Sequence, residues 1–149
     1  ETGWIRSGMT TQPAATTPID RCCPALRVVT MPKDTNAYGT IFGGVILSYI
    51  DQAGFVEVRR HGMHRWVTVA MDRVEFKKAV HLGDVVSFYA TTVREGSSSV
   101  TVKVEVEAER FETGEVVPVT EAQMTLVSVG PDGRPVPFKS PPTIHYPAA

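Results

Sequence analysis

The chain has 149 residues, one domain's worth, with fifteen basic and sixteen acidic side chains and a net charge of −1. That balance gives no general pull toward nucleic acid or an anionic membrane, and 42% hydrophobic against 21% charged residues excludes disorder throughout. No apolar run approaches the ~18 residues of a membrane span, and the opening stretch lacks the basic start and apolar run of a signal peptide.

Residues 1–24 read as a flexible arm, with threonines among Pro13, Pro18 and Pro24 and no periodicity. Met9 reads as a natural start, with residues 1–8 added ahead of it. Cys22 and Cys23 are adjacent, a poor spacing for a disulfide, and two thiols are too few for an all-cysteine zinc site. They read as reduced thiols, which fits a cytoplasmic protein. Leu26–Met31 reads as a short strand and the polar run Pro32–Thr40 as a loop. Gly43–Arg60 is predicted as the single good helix. Its apolar residues Val45, Ile46, Tyr49, Ile50, Ala53 and Val56 recur at helical spacing, Arg59 and Arg60 suit its C-terminus, and Gly62 suits its stop. Gly54 lowers its propensity slightly.

After the helix the pattern turns to strand. Trp66–Phe76 and Asp84–Arg94 are rich in valine and aromatic residues. Val100, Val102, Val104 and Val106 then alternate with Thr101, Lys103, Glu105 and Glu107, the period of a strand with one buried face. Gly96–Ser99 between the two runs reads as a hairpin turn, and Val116–Val129 closes the set. One domain is expected over residues 25–130, with a proline-rich extended tail over 131–149. Four consecutive antiparallel strands and one amphipathic helix imply an α+β fold, a sheet wrapped around that helix. One helix does not cover a large sheet, so a second copy is expected to complete the structure.

Asp51 stands out. It lies in mid-helix, far from either cap, and position 55 holds Phe rather than a basic partner. It is either a solvent-facing helix carboxylate or a general base, a task that suits a partly desolvated carboxylate. Gly43 and Gly44 open the helix, either for tight packing or to leave backbone N–H groups free for an oxyanion. Gly44 and Asp51 are seven residues apart, ~10 Å along the axis. If both act on one carbonyl, they come from two chains with antiparallel helices. Asn36 orients a water or a carbonyl, or makes an Asx-turn. Thr68 binds Asp51 or the water, or is simply a good strand residue.

Other signatures are missing: no G-x-S-x-G, no phosphate loop and no G-x-G-x-x-G. His61 and His64 alone make a weak metal signal, so no metal is expected.

The run Met31-Pro-Lys-Asp-Thr-Asn-Ala-Tyr-Gly-Thr-Ile-Phe-Gly-Gly, continuing Val45-Ile-Leu-Ser-Tyr-Ile-Asp51, closely resembles the bacterial YciA-type acyl-CoA thioesterases of the hotdog fold. Val67-Thr-Val-Ala-Met, Val74-Glu-Phe, Val80-His-Leu-Gly-Asp84 and Gly96-Ser-Ser-Ser-Val add to the likeness, which covers roughly residues 26–138. The resemblance implies a hydrolase of acyl-CoA thioesters that needs no cofactor, CoA being part of the substrate. It matches Asp51 to the family's catalytic carboxylate, general base or nucleophile, and Asn36 to an asparagine given by the neighbouring chain. Gly43 and Gly44 match the helix start that polarises the thioester carbonyl, and Thr68 the threonine near the carboxylate. It also implies a homo-oligomer, at least a dimer and commonly a trimer of dimers. CoA would lie across the interface, with Phe42, Lys77, Lys78, Arg94, Gly96 and Ser98 as candidate contacts. Ala79 stands where the family usually has proline, Tyr38 where a smaller polar residue is common, and the tail from Lys139 has no counterpart.

Two rivals follow. A non-catalytic acyl-CoA-binding hotdog protein is disfavoured by Asp51 and Asn36 together. A hotdog dehydratase needs a histidine ahead of the helix, and none stands there.

Overall fold

Val100, Val102, Val104 and Val106 are all buried, and the residues between them lie on the other, partly exposed face. Burial of these methyl-rich side chains against a helix is part of the hydrophobic core that holds the fold together. The structure, a computed structural model, describes residues 23–144. The arm expected over residues 1–24 lies outside it but for Cys23 and Pro24, as do the start at Met9 and residues 145–149.

In chain order the elements are β1 (Leu26–Val29), α1 (Gly43–Val58), β2 (Arg65–Asp72), β3 (Val85–Glu95), β4 (Ser99–Glu109) and β5 (Val116–Val129). The strands form one antiparallel sheet in the order β1-β3-β4-β5-β2. It curls around α1, whose Ile46, Ile50, Ala53 and Val58 meet a core that includes Phe88, Val104, Met124 and Leu126. This is the expected hotdog arrangement, an α+β fold. Gly54 has a packing reason: a Cβ there would overlap the sulfur of Met124, so glycine lets the helix approach the sheet closely.

Four details differ from the sequence pattern. Val56 was expected on the inward face but is 42% exposed, while Val58 is buried. The α-helix ends at Val58, and Arg59–His61 form a tighter 3-10 turn. β2 stops at Asp72 rather than Phe76, because Arg73 turns into the left-handed region at φ 49° and ends the pairing. Residues 73–84 therefore lie outside the named strands, Ala79 among them. The Lys77 N–H donates to the Val119 carbonyl, and Val80 accepts from Ile41. Arg110 donates to the Ala79 carbonyl and to the buried Asp84, at 2.9 and 2.7 Å.

The fourth difference is the tail. The chain turns back after Gly130, and Val136 donates its N–H to Ser128. Phe138 is 3% exposed and packs its ring against Trp66. The packed unit thus runs on to Ile144, whose N–H reaches the Met63 carbonyl.

Candidate functional site

Asp51 lies midway along α1, on its exposed side. Its Oδ1 accepts a 2.6 Å hydrogen bond from the Thr68 hydroxyl. Thr68 stands on β2 just before a bulge, where the pairing with β5 skips Val69 between Thr68 and Ala70. Such a bulge bends a strand and re-aims its side chains. β2 is the last strand of the sheet, so the Asp51–Thr68 pair stands at an open edge. One chain alone leaves the carboxylate in water and does not supply the partial desolvation expected of a general base.

The start of α1 is bare. No side chain caps it, and its first turn has no acidic residue. The first N–H groups and the positive end of the helix dipole are left for something outside the helix. Gly44 has open space where a Cβ would be, and Gly43 lies against the ring of Phe76. A groove of about 330 Å³ runs past this point, lined by Ile41, Gly43, Ile46, Phe76, Lys77 and Lys78 among others. Phe42, at the N-cap, is exposed beside it.

Asn36 makes the Asx-turn. Its Oδ1 accepts the backbone N–H groups of Tyr38 and Thr40, and its Nδ2 donates to the Thr40 hydroxyl. The amide keeps one more hydrogen for another partner. Tyr38 itself is 91% exposed.

Arg94, Gly96 and Ser98 lie elsewhere. They belong to the end of β3 and the hairpin after it, at the C-terminal end of α1, where Thr92 donates to Glu57. Gly43 and Glu57 are fourteen residues apart, ~21 Å along the helix. A single chain therefore does not bring Lys77 and Lys78 together with Arg94. His61 and His64 are not brought together either. His61 contacts Thr92 and Glu95, whereas His64 contacts Thr143 and the Phe138 carbonyl. Among the described residues no group of three or more metal-ligating side chains occurs.

Sequence reasoning missed Phe76 and Ile41 as groove-lining residues. Reading β2 through to Phe76 places that ring in the sheet; its only signal was the polar pair Asp72-Arg73 before it.

Fold and site together define a hotdog subunit with a carboxylate in mid-helix and an uncapped helix start. The chain belongs to the thioesterase superfamily, whose family model matches residues 38–115. It is 38% identical over 116 residues to the acyl-CoA thioester hydrolase YciA of Salmonella typhimurium, spanning 76% of this chain and 87% of that protein. It is also similar to a solved hexameric hotdog fold thioesterase of Campylobacter jejuni, with 45% identity, a TM-score of 0.73, and 76% and 88% of the two chains covered. A third relative is HI0827, a hexameric broad specificity acyl-coenzyme A thioesterase solved as an aspartate-to-alanine mutant. It matches at 38% identity and a TM-score of 0.74, over 78% of this chain and 86% of its own.

Proposed function

We propose that the chain hydrolyses acyl-CoA thioesters to a carboxylic acid and CoA, at sites shared between two copies. The observation that carries the reading is Asp51, a mid-helix carboxylate gripped on one side by Thr68 and left open on the other. It acts as a general base toward water, or as a nucleophile that forms an anhydride which water then cleaves. In either route the thioester oxygen gains negative charge. The bare N–H groups and dipole at Gly43 and Gly44 suit that charge. CoA leaves as the thiol.

The ~10 Å between Gly44 and Asp51 means that one helix does not serve both ends of the reaction. In our reading the helix start of a second copy lies beside Asp51, and Asn36 of that copy spends its remaining amide hydrogen there. Exposed apolar side chains favour such a pairing: Val67 and Val69 on the edge strand β2, and Phe55 and Val56 on α1. Antiparallel helices also carry the hairpin of one copy toward Lys77 and Lys78 of the other. Lys77, Lys78 and Arg94 then meet the phosphates of CoA, with Gly96 and Ser98 giving close backbone approach. The assembly is a homo-oligomer, a hexamer built as a trimer of dimers; the hexameric state of the similar solved structures supports this. The reaction needs no cofactor. A cytoplasmic setting is part of the reading, in keeping with adjacent Cys22 and Cys23 as reduced thiols.

The test is Asp51→Asn, nearly isosteric but unable to take a proton. Its kcat on an acyl-CoA should fall by ~10²–10⁴ while CoA binding persists. Hydrolysis within a few-fold of wild type would remove Asp51 from the chemistry. A wild-type chain that binds CoA and releases no thiol would instead be the non-catalytic binder.

A further inference from the structure

The β3–β4 hairpin is held from below by the C-terminal segment. Its tip is closed by the Gly96 N–H donating to the Ser99 carbonyl at 2.7 Å. The next two carbonyls point back into the protein. Ser98 accepts from the Ser128 N–H at 2.8 Å, and Ser97 accepts from the Phe138 N–H at 3.1 Å. Phe138 is thus bonded to the turn itself.

Phe138 is in turn fixed on three sides. Its ring lies 5.8 Å from that of Trp66 and makes an edge contact at 5.7 Å with His61. Its carbonyl accepts a 2.8 Å bond from Nε2 of the fully buried His64. The other ring nitrogen of His64 meets the Thr143 hydroxyl at 3.1 Å, so the segment is pinned again five residues on. His61 carries the contact to the other stem of the hairpin. Its Nε2 is 2.8 Å from the Thr92 hydroxyl, whose hydrogen goes to Glu57, and its Nδ1 is 3.3 Å from Glu95.

Two aromatic contacts to its ring, and bonds from its backbone to a buried histidine and to the turn, therefore converge on one residue under one turn. The segment covers the core and also bonds directly to the hairpin tip. We propose that Phe138, backed by His64 and Thr143, is a positioning residue that fixes the Arg94–Ser99 turn in the shape that receives the nucleotide end of CoA. This rests on the reading of Arg94, Gly96 and Ser98 as CoA contacts. Phe138 meets Trp66, His61, His64 and Ser97 and touches none of the reacting groups; Asp51 lies at mid-helix and Gly43–Gly44 at the far end of α1. The segment accordingly sets KM for CoA esters and leaves kcat nearly unchanged.

The experiment compares hexanoyl-CoA with the hexanoyl thioester of N-acetylcysteamine, which keeps the thioester and lacks the nucleotide. In the full-length chain, Phe138→Ala should raise KM for hexanoyl-CoA about tenfold with kcat within about twofold. Its kcat/KM on the N-acetylcysteamine ester should stay within about twofold of wild type, and Phe138→Leu should restore most of the loss. An unchanged KM for hexanoyl-CoA overturns the proposal. So does an equal loss on both esters, the mark of general loosening. Thr143→Val, a milder lesion, should shift the same KM by about twofold to threefold if Phe138→Ala does not fold; no shift counts against the strap. Should wild type hydrolyse neither ester, the activity reading fails separately. Titration calorimetry with CoA alone still decides this one, a raised Kd in Phe138→Ala and Thr143→Val supporting it and an unchanged Kd overturning it.

Discussion

A carboxylate earns a chemical role through what holds it. Among the described residues, Asp51 is held by one side-chain bond, from Thr68 on the neighbouring strand. That bond engages one oxygen of an exposed carboxylate. Hydrogen bonds to charged groups are worth about 1.5–3 kcal/mol, so losing this one should cost ~10–100-fold in kcat if it aims the reacting oxygen. Thr68→Val keeps the β-branched shape and the strand propensity, so stability and KM should change little. Steady-state kinetics on an acyl-CoA checks this, and an unchanged kcat would reduce Thr68 to a strand residue. At this scale the sequence was informative about identity and silent about choice. Asp51 was visible as a misplaced carboxylate, but Thr68 had two possible partners. Asn36 was equally suited to a turn and to a substrate, and its turn is what the chain makes. Side-chain hydrogen bonds over seventeen residues of sequence have no local signature.

Between elements, α1 approaches β5 tightly at Gly54, where a Cβ would overlap the Met124 sulfur. Gly54→Ala sets a helix-propensity gain of ~1 kcal/mol against overpacking of ~1–3 kcal/mol. The overlap is deep, so overpacking should prevail, lowering Tm by about 2–6 °C. Pairing the change with Met124→Val should recover most of the loss, and a Tm that rises with Gly54→Ala alone would mean that the helix is not seated against Met124. The strands were readable where period two was strict, as in Val100–Val106. The helix was less so. Its apolar residues nearly circle it, so periodicity alone put Val56 inside, whereas the structure buries Val58 and leaves Phe55 and Val56 exposed. β2 ended early because of one non-glycine residue at positive φ, a feature that propensity does not announce. The proline-rich end read as free because proline excludes regular structure. It does not exclude docking: Val136 bonds to Ser128 and Phe138 buries its ring against Trp66.

The whole molecule poses a different question, because the sheet ends in an edge strand with two exposed valines and a carboxylate that has only half its surroundings. The ~10 Å between the helix start and Asp51 assigns them, in one site, to different chains. Asn36, seven residues ahead of Gly43 and bonded within the loop that feeds the helix, should travel with the glycines. Asp51→Asn and Asn36→Ala should each be nearly inactive alone. When the two are unfolded, mixed and refolded, random pairing makes about half of the dimers mixed. Each mixed dimer then has one site with both lesions and one with neither, so roughly a quarter of wild-type activity should return. The same fraction holds in a trimer of dimers, because the site belongs to the dimer. Were Asn36 and Asp51 of a site drawn from one chain, every site would carry a lesion and nothing would return. Native mass spectrometry establishes that the chains have exchanged. Silence from a mixture so verified would overturn the shared site, while leaving the Asp51→Asn result to stand or fall by itself.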